Sequence, residues 1–326
     1  MAKVDSFNLL FNEMSKSAKR LEELLALIGL LYIGKQAITL TYHLINGCRI
    51  HFFSKLWPQN LSLYGEWAVI TGGSDGIGKA FAYALAKRNV NLLLIARQEE
   101  KLINVASDLV TKFGVKVEIL SADFVERLQT YKKIDDKLVN KEIGILINNV
   151  AALPLTLSLF HRISRNEHLG VLDVNLASML VMTSKILPSM VERRKGLIIN
   201  VSSTAGLFPI PFMATYSSSK AYMDFFSRAL NYEYRNYGVT VQSLVPNHVP
   251  KDSSVGDYRK RILNFFKPHT MTFAENALST VGYTPQTSGY WMHDMVNWFS
   301  QSIPDCIRIR LAAYFVRKHF SESEID

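Results

Sequence analysis

The chain has 326 residues, of which 48% are hydrophobic and 20% charged, enough to bury a large core in one sizeable domain with extensions. Its formal charge of +9 comes without a Lys/Arg stripe interleaved with aromatics and without zinc-finger spacing, so nucleic acid is not an expected partner. The charge suits a solubilising face, or a surface turned to anionic lipid or an acidic cofactor. Cys48 and Cys306 are too few for a disulfide framework and suit a reducing compartment. The histidines show no ligand spacing, so no metal site is expected.

At the N-terminus, Leu24 to Gly34 is continuously apolar and Ala37 to Ile45 nearly so, with Lys35 and Gln36 between them. The stretch has the length to cross a bilayer, although a lysine near its centre costs about 2.5 to 3.5 kcal/mol. It spans a membrane, lies at its interface, or packs as a core helix. Asp5, Glu13, Glu22 and Glu23 precede or enter the apolar run, which argues against a cleaved secretory signal and an ordinary mitochondrial transit peptide.

From Trp67 onward, short apolar runs alternate with longer amphipathic ones, the pattern of repeated strand-helix units around a parallel sheet. Strands are expected near Trp67 to Thr71, Asn91 to Ile95, Val115 to Leu120, Ile143 to Ile147, Leu197 to Val201 and Thr240 to Leu244. The predicted helices run from about Gly76 to Arg88, Glu99 to Phe113, Glu126 to Val139, Asn175 to Arg194 and Tyr216 to Tyr237. Pro188 should kink the fourth helix, and Gly238 should cap the fifth. The fold class is therefore α/β, a doubly wound parallel sheet.

The turn after the first strand reads Thr71-Gly72-Gly73-Ser74-Asp75-Gly76-Ile77-Gly78. Between a strand and a helix, such a turn brings backbone N–H groups and a helix N-terminus to a pyrophosphate. Gly72 permits the tight turn, Gly76 lets backbone approach the ligand, and Gly78 allows close packing. The second strand ends at Arg97, a planar cation matched to a ribose 2′-phosphate, which favours NADP(H) over NAD(H). The alternative is a solvated surface arginine. Glu99 and Glu100 read as first-turn helix acids.

Tyr216 and Lys220 stand at i and i+4, on one face of a helix, so the Lys220 ammonium can sit beside the phenol and favour its ionised form. That arrangement would make Tyr216 a usable acid at neutral pH. With Ser203 upstream of the tyrosine, these residues resemble the short-chain dehydrogenase/reductase family over about residues 65 to 250. Asp123 stands where the family places an adenine-contacting acid, Asn148-Asn149 matches its Asn-Asn-Ala-Gly segment, and Asn175 matches the asparagine of its catalytic tetrad. The resemblance implies that Asn175, Ser203, Tyr216 and Lys220 are catalytic. It implies that the cofactor is held by Gly72, Ser74, Asp75, Gly76, Ile77, Gly78, Arg97, Asp123, Asn149, Tyr216, Lys220 and Val249. Ser203 would polarise a carbonyl, Tyr216 would protonate it, and Lys220 would hold the nicotinamide ribose. Asn175 would kink its helix and hold a water that relays protons to Lys220.

Further segments, among them Pro188 to Gly196 and Gly289-Tyr290-Trp291-Met292-His293, resemble the 17-beta-hydroxysteroid dehydrogenase and very-long-chain 3-oxoacyl-CoA reductase group, and within it the hydroxysteroid dehydrogenase-like branch. Some members of that branch carry Phe at the catalytic tyrosine and are regarded as inactive, whereas this chain keeps Tyr216. Ala151 replaces the glycine that usually closes the Asn-Asn-x-Gly segment. Pro250 and Lys251 stand where the family has a hydroxyl-bearing residue.

Three segments are expected: a membrane-associated hydrophobic helical part at 1–62, a Rossmann NADP(H)-binding catalytic domain at 63–290, and an amphipathic C-terminal extension at 291–326. A substrate lid is placed at 249–271, where Arg259, Lys260, Arg261 and Lys267 alternate with aromatics and aliphatics; a plain surface helix explains the same pattern. Trp291, Trp298, Phe299, Tyr314 and Phe315, with Arg308, Arg310, Arg317 and Lys318, suggest contact with a membrane interface or packing on the main domain. The expected activity is NADPH-dependent reduction of a lipid ketone, a 3-oxoacyl-CoA or an oxosteroid. The alternative is a weak or inactive cofactor-binding protein acting through partners. A homodimer stays open, and the resemblance points to a mitochondrial or endoplasmic reticulum membrane.

Overall fold

The computed structural model describes residues 2–155, 157–250 and 266–319; the expected lid falls largely on residues outside these. The chain divides into two compact units, Met1–Arg49 and Ile50–Asp326. Segment 50–62, grouped by sequence with the N-terminal part, thus falls in the second unit.

The first unit is one helix, α1 (Ala2–Cys48), of 47 residues, roughly 70 Å at 1.5 Å per residue. It is long and apolar enough to cross a membrane. At the polar interruption the side chains satisfy one another locally. Gln36 Nε2 donates to the Tyr32 hydroxyl at 3.0 Å, and Thr39 Oγ1 donates to the Lys35 carbonyl at 2.9 Å.

The second unit is built on a parallel sheet of β1 (Trp67–Thr71), β2 (Asn91–Ala96), β3 (Val117–Ser121), β4 (Ile143–Asn148), β5 (Gly196–Val201), β6 (Val239–Leu244) and β7 (Gln286–Thr287). Their order is β3-β2-β1-β4-β5-β6-β7, with every pairing parallel. The connecting helices are α2 (Gly76–Ala86), α3 (Glu99–Phe113), α4 (Leu128–Leu138), α5 (Arg165–Leu172), α6 (Ser178–Glu192) and α7 (Ala214–Tyr234). After β6 come α8 (Thr270–Ser279), α9 (Trp291–Gln301) and α10 (Asp305–His319).

Both sheet faces are covered, which is why the strands read as continuous apolar runs rather than as alternations. Ala68 and Ile70 pack with Phe81, Leu85 and Phe273 on one face, while Val69 packs with Ile134, Met182 and Ile186 on the other. Strand order reverses between β1 and β4. The crevice outside the strand ends at that switch point is where a doubly wound sheet takes its ligand.

Element boundaries shift where side chains cap the backbone. The helix expected from Glu126 starts at Leu128, because Asp123 caps a 3₁₀ turn over Phe124–Glu126 and Arg127 takes φ +46°. The helix expected from Asn175 begins inside a π-helical turn over Asp173–Ala177 and continues as α6, while α5, which precedes that turn, has no counterpart among the predicted helices. Helix α6 runs through Pro188 to Glu192. Gly238 ends the 3₁₀ turn after α7 at φ +76°, where a methyl would strike the Arg194 carbonyl. Strand β7 has no counterpart among the predicted strands.

Candidate active site

The glycine turn leaves β1 with Gly72 at φ +70° and Gly76 at φ +53°. Both lie in the left-handed region that side chains disfavour. A methyl on Gly72 would lie 2.8 Å from Asn149 Nδ2, and one on Gly78 would fall inside the Gly72 carbonyl oxygen. Gly78 therefore packs the helix onto the turn itself. Asp75 caps α2, its carboxylate accepting from Gly76 N at 2.8 Å.

Asn149 holds the turn from the β4 side. Its Nδ2 donates to the carbonyls of Thr71 at 3.0 Å and Gly72 at 3.3 Å. The buried Thr71 hydroxyl accepts from Asn149 N at 3.0 Å and Val150 N at 3.1 Å. Thr71 was not among the expected site residues; its signal was a polar side chain at the end of a buried strand, where burial requires a partner.

Gly72, Asp75, Gly76, Asn149 and Val150 wall a cleft of about 420 Å³, which Ser74, Ile77, Arg97, Asp123 and Val249 also line. Arg97 is exposed at the end of β2. Beside it in the cleft is Lys101, absent from the sequence-derived set, whose Nζ lies 3.9 Å from the Asp75 carboxylate. Arg97 directly follows β2 and Lys101 sits in the first turn of α3, so the signal was a second cation at the start of the helix that follows the strand end. Asp123 caps the turn after β3 by accepting from Val125 N at 3.1 Å. Ala151 lines the cleft and is exposed, and its φ is not positive, so its methyl brings no backbone strain.

At Ala152 the cleft wall is bonded to Asn175, the first of the catalytic candidates. Asn175 is fully buried in the π turn. Its Oδ1 accepts from Ala152 N at 2.7 Å, and its Nδ2 donates to the Ala152 carbonyl at 3.1 Å and to Ser219 Oγ at 2.9 Å. It thereby ties the cleft wall to α7 one residue before Lys220, rather than to Lys220 itself. Ser203 caps a 3₁₀ turn by accepting from Ala205 N at 3.1 Å, and its side chain lies near enough to the Tyr216 phenol to act on its pKa. Gly206 ends that turn against α7, where a methyl would lie 2.6 Å from the Lys220 carbonyl carbon.

Lys220 departs from expectation. Its Nζ donates to the Val201 carbonyl at 2.8 Å, approaches Met223 Sδ at 3.5 Å, and lies 5.8 Å from the centre of the Tyr216 ring. The cation faces the ring rather than the hydroxyl. Burial pulls its pKa down from 10.5 to about 7. The Tyr216 phenol is correspondingly not lowered: burial pushes it above the usual tyrosine range, and Ser203 pulls partly back.

The cleft fits a dinucleotide: a turn that excludes side chains, a helix N-terminus and two cations line it, and Asn175 joins its wall at Ala152 to the helix that carries Tyr216 and Lys220. Val249 lines the cleft and Pro250 adjoins it, whereas Lys251 lies outside the described residues.

A family model described as short chain dehydrogenase matches residues 66–257. "Hydroxysteroid dehydrogenase-like protein 1" from Gallus gallus is 40% identical over 97% of this chain and 96% of its own length. "Inactive hydroxysteroid dehydrogenase-like protein 1" from Homo sapiens is 39% identical over 94% of this chain and 93% of its own. "Very-long-chain 3-oxoacyl-CoA reductase" from Macaca fascicularis is 40% identical over 76% and 78%, respectively. Among solved structures, a 7beta-hydroxysteroid dehydrogenase superposes with a TM-score of 0.71 at 21% identity, over 78% of this chain and 99% of that one, and so attests the fold.

Proposed function

Because the chain belongs to the short-chain dehydrogenase family, we propose that it is a membrane-associated NADP(H)-dependent oxidoreductase that reduces a lipid ketone, either a 3-oxoacyl-CoA or an oxosteroid. The observation that carries this reading is the grouping of Ser203, Tyr216 and buried Lys220 on the far side of Asn175, whose partner Ala152 lines a cleft that fits a dinucleotide. Bound NADPH would supply a hydride to the carbonyl carbon. Ser203 orients the carbonyl oxygen, and Tyr216 gives it a proton. Arg97 and Lys101 hold the 2′-phosphate, and Asn149 with Gly72, Gly76 and Gly78 keeps the backbone open to the pyrophosphate. Lys220 would meet the ribose and replenish the Tyr216 proton once its Nζ turns from the Val201 carbonyl toward the cleft.

An apolar substrate is supported by the chain beyond β4. Leu155 is 93% exposed, and Leu153, Leu159 and Phe160 are exposed around it. Next to them is a hollow of about 220 Å³ lined by Pro154, Ile163, Pro211 and Phe212. Its walls come from the loop after Ala152 and from the loop joining Ser203 to Tyr216, the two that frame the reacting carbonyl. Length and apolarity of α1 support the membrane reading; the membrane would be mitochondrial or that of the endoplasmic reticulum.

A second reading, a cofactor-binding protein with little or no turnover that acts through partners, draws on the Lys220 ammonium facing the ring and the Val201 carbonyl rather than the phenol oxygen. The relatives named inactive point the same way. Titration with NADPH, followed by its oxidation against 3-oxoacyl-CoAs and oxosteroids, separates the two. Tight binding with turnover in wild type and none in Tyr216→Phe supports the enzyme. Tight binding with neither active supports the second reading.

A further inference from the structure

Helix α10 lies across the loop that joins Ser203 to Tyr216. The Arg308 guanidinium stacks 5.2 Å from the centre of the Phe208 ring, and Arg317 stacks 5.3 Å from that of Phe212. Ile309, Ala312, Ala313 and Val316 share the partly buried face with Arg308. The opposite face carries Ile307, Leu311, Tyr314 and Phe315, which are 47%, 45%, 58% and 55% exposed. Their i, i+4, i+7, i+8 spacing forms one apolar stripe. Exposed Arg310 and Arg317 flank it, and Lys318 closes it over the Tyr314 ring at 5.9 Å.

A helix partly buried on one side and presenting Ile, Leu, Tyr and Phe among cations on the other has the composition of a segment lying at the headgroup level of an anionic bilayer. Exposed aromatics recur on α9 and on the segment that packs against it. Phe299 of α9 is 66% exposed. Phe52 meets Trp291 of α9 at 6.2 Å between ring centres, and His51 hydrogen-bonds to Asp294. Around Phe52, Phe53 and Trp57 stack at 6.3 Å, and both are exposed beside Lys55. Paired aromatics with lysine are the side chains that populate a membrane interface.

We propose that the outward face of α10 is a second, peripheral membrane contact, seated on anionic phospholipid. This rests on the membrane-associated reading above, in which α1 tethers the chain and raises the effective concentration of any weaker lipid-binding face. The two exposed thiols report on the two contacts separately, Cys48 at the end of α1 and Cys306 in the first turn of α10.

The test uses the full chain in vesicles of phosphatidylcholine, with or without phosphatidylglycerol, carrying headgroup-proximal nitroxide lipid. A bimane is placed on Cys306 in Cys48→Ser, or on Cys48 in Cys306→Ser. The expected result is quenching at Cys306 that depends on phosphatidylglycerol, with the partition constant for α10 falling roughly tenfold in Arg310→Glu/Lys318→Glu. Quenching at Cys48 should be indifferent to lipid charge. A Cys306 label that stays water-accessible while Cys48 is quenched overturns the α10 contact alone. Unquenched Cys48 overturns insertion of α1, and Cys306 then decides α10 by itself. Protection of Cys306 that follows protein concentration and ignores lipid charge assigns the face to a second copy of the chain, and also overturns the proposal.

Discussion

The Nζ of Lys220 lies 5.8 Å from the centre of the Tyr216 ring and is bonded to the Val201 carbonyl, not to the phenol oxygen. The pair is adjacent yet not coupled through the hydroxyl. Catalysis by this set therefore requires the Nζ to swing toward the cleft. Lys220→Met should lower kcat by about 10²–10⁴-fold, the usual loss for a proton-transfer group, with NADPH binding weakened less. Single-turnover rates and an NADPH titration on the same protein check this.

Lys220 also makes stability depend on pH. Burial holds its pKa at about 7, against 10.5 for the ordinary side chain. Between those values the unfolded chain binds a proton that the folded chain has released, so stability from this group rises with pH across that window and is lost as pH falls through about 7. Wild type should gain Tm relative to Lys220→Met as pH is raised above about 7. A constant difference between the two melting curves across the window would contradict it.

Arg97 and Lys101 should set cofactor choice. Loss of a charge-assisted contact with a phosphate costs about 1.5–3 kcal/mol, so Arg97→Ala should raise Kd for NADPH roughly 10- to 100-fold while leaving NADH binding nearly unchanged. Lys101→Ala should act in the same direction with a smaller effect, because its ammonium is shared with Asp75. Equal weakening of both cofactors would place these cations outside the phosphate site.

Two glycines should tolerate no side chain. Gly78→Ala would drive a methyl into the Gly72 carbonyl, and Gly206→Ala would press one against α7 at Lys220. Each should destabilise by about 1–3 kcal/mol through overpacking, read in denaturant unfolding. Gly78→Ala should also abolish dinucleotide binding.

Ala151 behaves differently, since its methyl faces the cleft on unstrained backbone. Ala151→Gly should cost about 0.4–1 kcal/mol of stability through unfolded-state entropy and tighten NADPH binding. Calorimetric titration and melting curves resolve the two effects.

Gly72, Ser74, Asp75, Gly76 and Ile77 of the turn, with Arg97, Asp123, Asn149 and Val249, were legible because their places follow from strand ends and helix starts, and the structure brings them to one cleft, with Gly78 packed behind the turn. Lys101 is not legible from the strand end alone, because it reaches the cleft from the first turn of α3. Asn175 sits in a π turn that periodicity cannot distinguish from continuous helix, and its partner Ser219 comes from a distant segment. For Lys220, the i, i+4 spacing fixed which face it shares with Tyr216. It did not fix the rotamer, which is set by the Val201 carbonyl at the end of β5. The seventh strand is two residues long, too short for any alternation to announce it.

The most direct measurement is transfer of deuterium from 4-deuterated NADPH to the carbonyl carbon of a 3-oxoacyl-CoA or an oxosteroid, followed by mass spectrometry in wild type, Ser203→Ala and Tyr216→Phe. The account predicts label in the alcohol product with wild type, and its loss in both variants while NADPH still binds. Wild-type protein that binds NADPH and transfers no deuterium to any member of either class would contradict it.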